Sequence, residues 1–283
     1  MKICSDCYEC ILRQVVPLAR KGGDEQKTRL MVREMLAMIS QVPLETTPPE
    51  IAAELHKILF ADTGHRDLYL EEKDGSTKIA LTLFPELQKL AETADDHFAA
   101  AVKLAIGGNI IDYGCNPDFD LQETERLIRE VPDLPVDGDS LELLRRKIAE
   151  ADSVFYILDN CGEAVLDRLL LEHCRGKVTV GVRGKAIYND VTPREAELSG
   201  LSEFPLIHTN DMTPGVSHYA TSDEFRNAMR SADLVIAKGQ GNFESLDDYD
   251  RPIAYLFRVK CKVIARILNQ PFHSLQVILR NCQ

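Results

Sequence analysis

The sequence predicts an α/β chain: a three-layer, doubly wound, mostly parallel sheet preceded by an all-α domain. Two observations carry this. Through the first hundred residues the apolar positions recur at helical spacing, and no strand signal of equal strength appears. After Gly107-Gly108 short apolar runs alternate with amphipathic stretches. That alternation marks βαβ units, whose crossover helices cover both faces of a parallel sheet. The expected division is a helical cap over residues 1–100 and an α/β metal-binding catalytic domain over 101–283. A length of 283 residues suits two domains.

In the cap, residues 10–19 have helical periodicity and stop at Lys21-Gly22-Gly23. Asp24 is the expected N-cap of a helix reaching about residue 42, with Leu30, Met31, Val32, Met35, Leu36 and Ile39 as its apolar positions. Pro48-Pro49 opens a third helix that ends at Gly64; proline is pre-set for a first turn and glycine for a left-handed stop. Two more helices are expected over 81–94 and 96–106. Six apolar runs then read as strands: 154–158, 178–182, 205–208, 234–237, 253–259 and 275–279. Helices over 162–174, 194–198, 223–231 and 260–268 fall between them.

Composition narrows the function. Hydrophobic residues make up 45% and charged residues 28%, which excludes a disordered or collagen-like chain. Lys plus Arg is 33 against 45 Asp plus Glu, a net charge of −12. A nucleic-acid partner would need a basic patch to offset that field, and the basic residues are scattered through helical patterns. No apolar run is long enough for a membrane span, so no membrane partner is expected. The N-terminus reaches charge and cysteine before any apolar stretch, so no secretory leader is expected. Eight cysteines are too sparse for a disulfide scaffold, and a reducing, cytoplasmic setting is the expectation. Oligomeric state is not legible.

Ligands of an open α/β sheet bind at the carboxyl ends of the strands. The first four runs are followed by Asp159-Asn160-Cys161-Gly162-Glu163, by Arg183 through Asp190, by Thr209-Asn210-Asp211, and by Lys238-Gly239-Gln240-Gly241-Asn242-Phe243-Glu244. Oxygen ligands without a nearby histidine suit Mg²⁺ or Mn²⁺, and such a cation works with phosphate by bridging its oxygens and activating a water. Lys238 is expected to supply a point charge for a phosphate oxygen. The glycines beside it, Gly239 and Gly241, would let backbone N–H groups approach an anion. The plainer alternative makes Asp159, Asp190 and Asn210 helix N-caps. A dinucleotide fingerprint, a Walker loop and a nucleophile elbow are all absent.

Cys4, Cys7 and Cys10 begin like an iron–sulfur run but lack its fourth cysteine and proline. On a helix the three thiols would lie close on one side. A metal or redox site and simple packing of small residues are both open readings.

Five separated motifs resemble the damage-control phosphatase family. They are Asp159-Asn160-Cys161-Gly162-Glu163; Arg183-Gly184 through Asn189-Asp190; Lys238 through Glu244; Thr63-Gly64 with Asp67, Tyr69 and Lys73; and Gly108-Asn109-Ile110-Ile111-Asp112. The N-terminal cysteines are similar to those of the family's prokaryotic, cysteine-motif branch. Leu68 departs from the pattern, where relatives often carry proline. The resemblance implies a metal-dependent phosphatase acting on small phosphorylated metabolites such as sugar phosphates, with Mn, Ni, Co or Mg as the cofactor. It implies Asp159, Asn160 and Asp190 as metal ligands, Asp159 and Lys238 as catalytic groups, and Glu163 in contact with substrate. Asn109, Asp112, Asn210, Gly239 and Gly241 complete the expected substrate-binding set. A non-catalytic metal or nucleotide-binding module is the alternative, and a carboxyl methyltransferase, also attributed to the family, ranks below it.

Overall fold

The computed structural model describes residues 1–64, 67–111 and 120–282. It is α/β, with twelve α-helices and a six-stranded sheet among the described residues.

The first helices form where their caps dictate. α1 is Ser5–Arg20 and α2 is Glu25–Gln41, the latter capped by Asp24, whose side chain accepts from the Lys27 N–H. α3 is Pro48–Thr63. It opens on a capping box in which Thr47 and Glu50 satisfy each other's backbone donors, and it stops at Gly64 in the left-handed region, φ 73°. These three helices bury Ile11, Val15, Met35, Ile51, Leu55 and Leu59 in one cluster, which Tyr69 and Val263 also join.

α4 is Leu70–Thr93 and begins eleven residues before the expected 81. Its first turns carry Asp74, Gly75, Ser76 and Thr77, which local propensity reads as poor helix. Tertiary context overrides this, because Lys73, Ser76 and Thr77 are buried. α5 is His97–Gly107, so the division expected at residue 100 falls inside a helix. α4 and α5 share the core of the sheet, through Leu83, Leu87, Val102 and Ile106. A 3₁₀ turn, Gly108–Ile110, follows. α6 (Leu121–Glu130) and α7 (Gly138–Glu150) lead to the first strand, and neither was expected as an element.

All six runs form strands: β1 Val154–Ile157, β2 Val178–Val182, β3 Leu206–His208, β4 Leu234–Lys238, β5 Ile253–Arg258 and β6 Leu275–Arg280. Between them lie α8 (Cys161–Leu171), α9 (Pro193–Leu198), α10 (Asp223–Ser231), α11 (Gly239–Ser245) and α12 (Lys262–Leu268). α11 was not among the helices expected from the sequence. The strand order is β3-β2-β1-β4-β5-β6, parallel except for β6, which pairs antiparallel with β5.

Alternation places successive strand residues on opposite faces. Val154, Tyr156 and Leu158 join α4, α5, α7 and α8 in one core. Phe155 and Ile157 join Phe225 of α10, Phe243 of α11 and Ile264 of α12 in the other. The result is the expected three layers. Among the described residues, no helix is long and apolar enough to cross a membrane.

Candidate functional site

The chain runs β1 to β2 to β3 in one direction, then returns across β1 to place β4 on its other side. That reversal opens a crevice between β1 and β4 at their carboxyl ends, where ligands of open α/β sheets bind. The Asp159 and Gly239 loops meet there. Gly239 sits at φ 78°, and a Cβ on it would overlap the Asp159 carboxylate. No side chain fits at that position, so the backbone of the fourth strand-end motif lies directly on the first.

The loop after β2 folds back to complete the cluster. The Val191 N–H donates to the Asp159 carbonyl at 2.9 Å, and the Cys161 N–H donates to the Asn189 carbonyl at 2.9 Å. Asn160 and Asp190 thereby form an antiparallel bridge outside the sheet proper. Asp159, Asn160 and Asp190, expected together from the sequence, are neighbours, and all three are buried.

None of the three serves as a helix cap by its side chain. Asn160 stands at the N-cap of α8 but makes no capping hydrogen bond. Its Nδ2 donates instead to Asp159 Oδ2 at 3.0 Å and to Glu163 Oε2 at 3.5 Å. Among the described residues its Oδ1 carries no hydrogen bond. Thr192 caps α9 and Ser222 caps α10, so Asp190 and Asn210 are not needed for those ends.

Arg183 ties the second motif to the third. Its guanidinium is 1% exposed. Nε donates to Asp190 Oδ2 at 2.8 Å, Nη1 to the Gly215 carbonyl at 2.9 Å, and Nη2 to Asn242 Oδ1 at 3.1 Å. Asp159 Oδ1 lies 3.9 Å from Nη2. One cation therefore serves two buried carboxylates. Burial, with Asp190 and Glu163 close by, pushes Asp159 up to about 8, against the pull of Lys260 and Arg183. Burial likewise raises Asp190, although Arg183 opposes it.

Lys238 lies at the end of β4 and is fully buried. Its three protons go to Glu163 Oε1, to Asp167 Oδ1 at 2.7 Å and to the Ala105 carbonyl at 2.8 Å. An ammonium has three donors, so none is left for an anion. Burial alone would lower the Lys238 pKa, but Asp167 and Glu163 outweigh it and hold it above the ordinary lysine value. Glu163 also accepts from Asn109 Nδ2, at 2.9 Å. The geometry thus brings Asn109, Glu163 and Lys238 together behind the metal-ligand candidates.

The remaining expectations divide. Gly241 owes its lack of a side chain to packing, since a Cβ there would overlap the Pro214 carbonyl. Asn210 is exposed with φ 66°, and its backbone presses on Gly184. Its neighbour Asp211 faces inward and accepts from Thr213 N at 2.7 Å and Thr221 Oγ1 at 2.9 Å. Asp112 lies outside the described residues.

Two contributors went unread in the sequence. Lys260 follows β5, at the same edge, and its charge acts on both Asp159 and Asp190. Applying the strand-end rule to the fifth run would have found it. His56 of α3 lies edge-on to Tyr188 of the β2 loop, ring centroids 4.2 Å apart, and packs against Tyr69. Phe60, Ile187 and Met212 form a small cluster beside them. The helical layer therefore holds the loop that carries Asp190. No spacing rule reveals that contact, because its partners lie 132 positions apart in a 283-residue chain.

The donor set fits a hard divalent cation. Two buried carboxylates share one guanidinium, and the Asn160 amide lies beside them. Among the described residues no three His, Cys, Asp or Glu side chains converge as a ready metal centre. A cation here would draw on Asp159, Asp190 and Asn160, with water or substrate completing its shell. A cavity of ≈ 650 Å³ lined by Glu71, Lys78, Leu121 and Glu125 lies between α4 and α6, away from the strand ends.

Comparison with known proteins bears on the family and the fold. The damage-control phosphatase ARMT1-like domain matches residues 3–274. A damage-control phosphatase of Pyrococcus horikoshii is 32% identical, covering 99% of each chain. One of Archaeoglobus fulgidus is 30% identical over 94% of this chain and 95% of its own. An uncharacterised protein of Methanocaldococcus jannaschii is 31% identical over 94% of this chain and 91% of its own. The crystal structure of a DUF89 family protein from Pyrococcus horikoshii superposes with a TM-score of 0.86 at 27% identity, covering 99% of each chain.

Proposed function

Because this chain belongs to the damage-control phosphatase family, we propose that it hydrolyses phosphate monoesters of small metabolites, with a divalent cation held by Asp159, Asn160 and Asp190. One observation carries the reading. Two buried carboxylates and an amide meet at the switch point of the sheet, and the Arg183 guanidinium lies among them, bonded to Asp190.

Such a cation, when bound, offsets phosphoryl charge and makes a coordinated water acidic. The chain's own residues do the rest. Asp159 and Asp190 present carboxyl oxygens on two different loops, so a ligand held between them fixes the loops' separation. Arg183 locks Asp190 in register with Asn242, and so couples the second and third motifs. Lys238 and Asn109 hold Glu163 from two sides, which fixes its carboxylate beside Asn160. In this role Lys238 is a positioning residue. Lys260, exposed at the rim, supplies the positive charge that meets an entering phosphate.

The test is turnover. Purified protein is assayed on p-nitrophenyl phosphate and on sugar phosphates with Mg²⁺, Mn²⁺, Co²⁺ or Ni²⁺, and with chelator. Cation-dependent release of phosphate is expected. Tight binding of cation or metabolite without release under any condition would replace the reading with a non-catalytic binding module.

A further inference from the structure

Cys4 and Cys7 lie in the first turn of α1, and their sulfurs are 3.4 Å apart. Cys4 is the N-cap residue, extended at φ −121°, and its carbonyl accepts the Cys7 N–H at 3.0 Å. Cys4 is half-buried and Cys7 is buried against the helical core. The Cys4 side chain makes no capping hydrogen bond, so the helix end does not depend on it. Cys10, one turn on, is exposed and takes a hydrogen bond from Gln14 Nε2 at 3.7 Å. Its electrostatic partner among the cysteines is Cys261, which in turn accepts from the Ile264 N–H. The four thiols thus separate into a contacting pair and two that are engaged elsewhere. Among the described residues they do not meet at metal-ligand spacing.

We propose that Cys4 and Cys7 form a dithiol site that exchanges with small-molecule disulfides of the glutathione class. The half-buried Cys4, as thiolate, attacks one sulfur of the small disulfide and expels the first small thiol. The Cys7 thiolate then displaces the second, closing the Cys4–Cys7 bond. Two protein S–H bonds and one small S–S bond are lost, and one protein S–S bond and two small thiols are formed. Burial pushes the Cys7 thiol up to about 11, so the closing step is slow at neutral pH and quickens in alkali. The closed pair would pin the first turn of α1. That turn is also held by Ile3 N to the Thr46 carbonyl at 3.0 Å, and by an ion pair from Asp6 to Arg266 of α12.

The experiment equilibrates the full chain in mixtures of reduced and oxidised glutathione, quenches in acid, alkylates and maps peptides by mass. The expected product is one internal Cys4–Cys7 disulfide, lost again in dithiothreitol and forming faster at pH 9 than at pH 7. Cys7→Ser should leave a persistent glutathione adduct on Cys4, Cys4→Ser should give no disulfide on Cys7, and Cys10→Ser should behave as the parent. Three results would overturn the proposal: both thiols alkylated in every mixture, a bond joining Cys7 to Cys10, or a stoichiometric metal that protects Cys4 and Cys7 from alkylation.

Discussion

Arg183 donates its Nε proton to Asp190 Oδ2 across 2.8 Å, with both side chains out of reach of water. The same guanidinium spans Asn242 and the Gly215 carbonyl. A planar guanidinium spreads its donors over three nitrogens in a rigid fork, and the single nitrogen of an ammonium cannot span acceptors set that far apart. Arg183→Lys should therefore lose most turnover, and Arg183→Met should also lose about 3–5 kcal/mol of stability, because two buried carboxylates lose the guanidinium that lies between them. Denaturant titration beside an activity assay checks both. A parent-like Arg183→Lys enzyme would mean that charge alone suffices.

Asp190→Asn keeps the shape and removes one anionic oxygen. Cation affinity and turnover should fall together by at least about tenfold each, with the unfolding midpoint near the parent's. Calorimetric titration of Mn²⁺ gives the first quantity. Unchanged affinity would remove Asp190 from the ligand set.

Gly239→Ala places a methyl on the Asp159 carboxylate and a side chain at φ 78°. Left-handed strain for a non-glycine residue costs about 1–2 kcal/mol. The displaced carboxylate should cost far more in kcat than the strain costs in stability. The variant is expected to be folded by circular dichroism and nearly inactive.

Lys260→Met is expected to leave the melting temperature where it is, since Lys260 is exposed. KM for a phosphorylated substrate should rise severalfold, and competitive inhibition by inorganic phosphate should weaken in step. An unchanged KM would take Lys260 out of the binding rim.

His56 gives a pH dependence outside the carboxylate cluster. Burial lowers its pKa from 6.5 to about 4, against a hydrogen bond from Nδ1 to the Ala52 carbonyl that opposes the shift. Between those values the unfolded chain binds a proton that the folded chain does not, so stability rises with pH across that window and is lost as pH falls through it. His56→Gln should flatten the urea midpoint between pH 4.5 and 6.5. A slope equal to the parent's would place the acid sensitivity in other groups.

The legible part of this molecule was its periodicity. The runs at 154–158 and 178–182 became β1 and β2 because β-branched and aromatic residues between turn residues have few other uses. Asp159, Asn160 and Asp190 were readable because the ends of parallel strands converge. Lys238 was readable as important, but not in its direction. A lysine at a strand end looks free until Glu163 and Asp167, on α8 beyond the neighbouring strand β1, are seen to take two of its protons. The early start of α4 was hidden by Gly75 and its polar neighbours. The seat of Tyr188 on His56 was hidden because it joins two layers.

The strand order has a kinetic consequence. β1 is central, yet its second neighbour, β4, begins 77 residues after β1 ends, when β2 and β3 have already been laid down. Contacts of such separation form late, since loop closure must precede any gain from pairing. During refolding from denaturant, helical signal should return well before catalysis, because the loops of Asp159 and Gly239 do not face each other until β4 docks. Recovered activity is thus a clock for the last long-range step of assembly, and slow docking of β4 would leave a compact, helix-rich and inactive species.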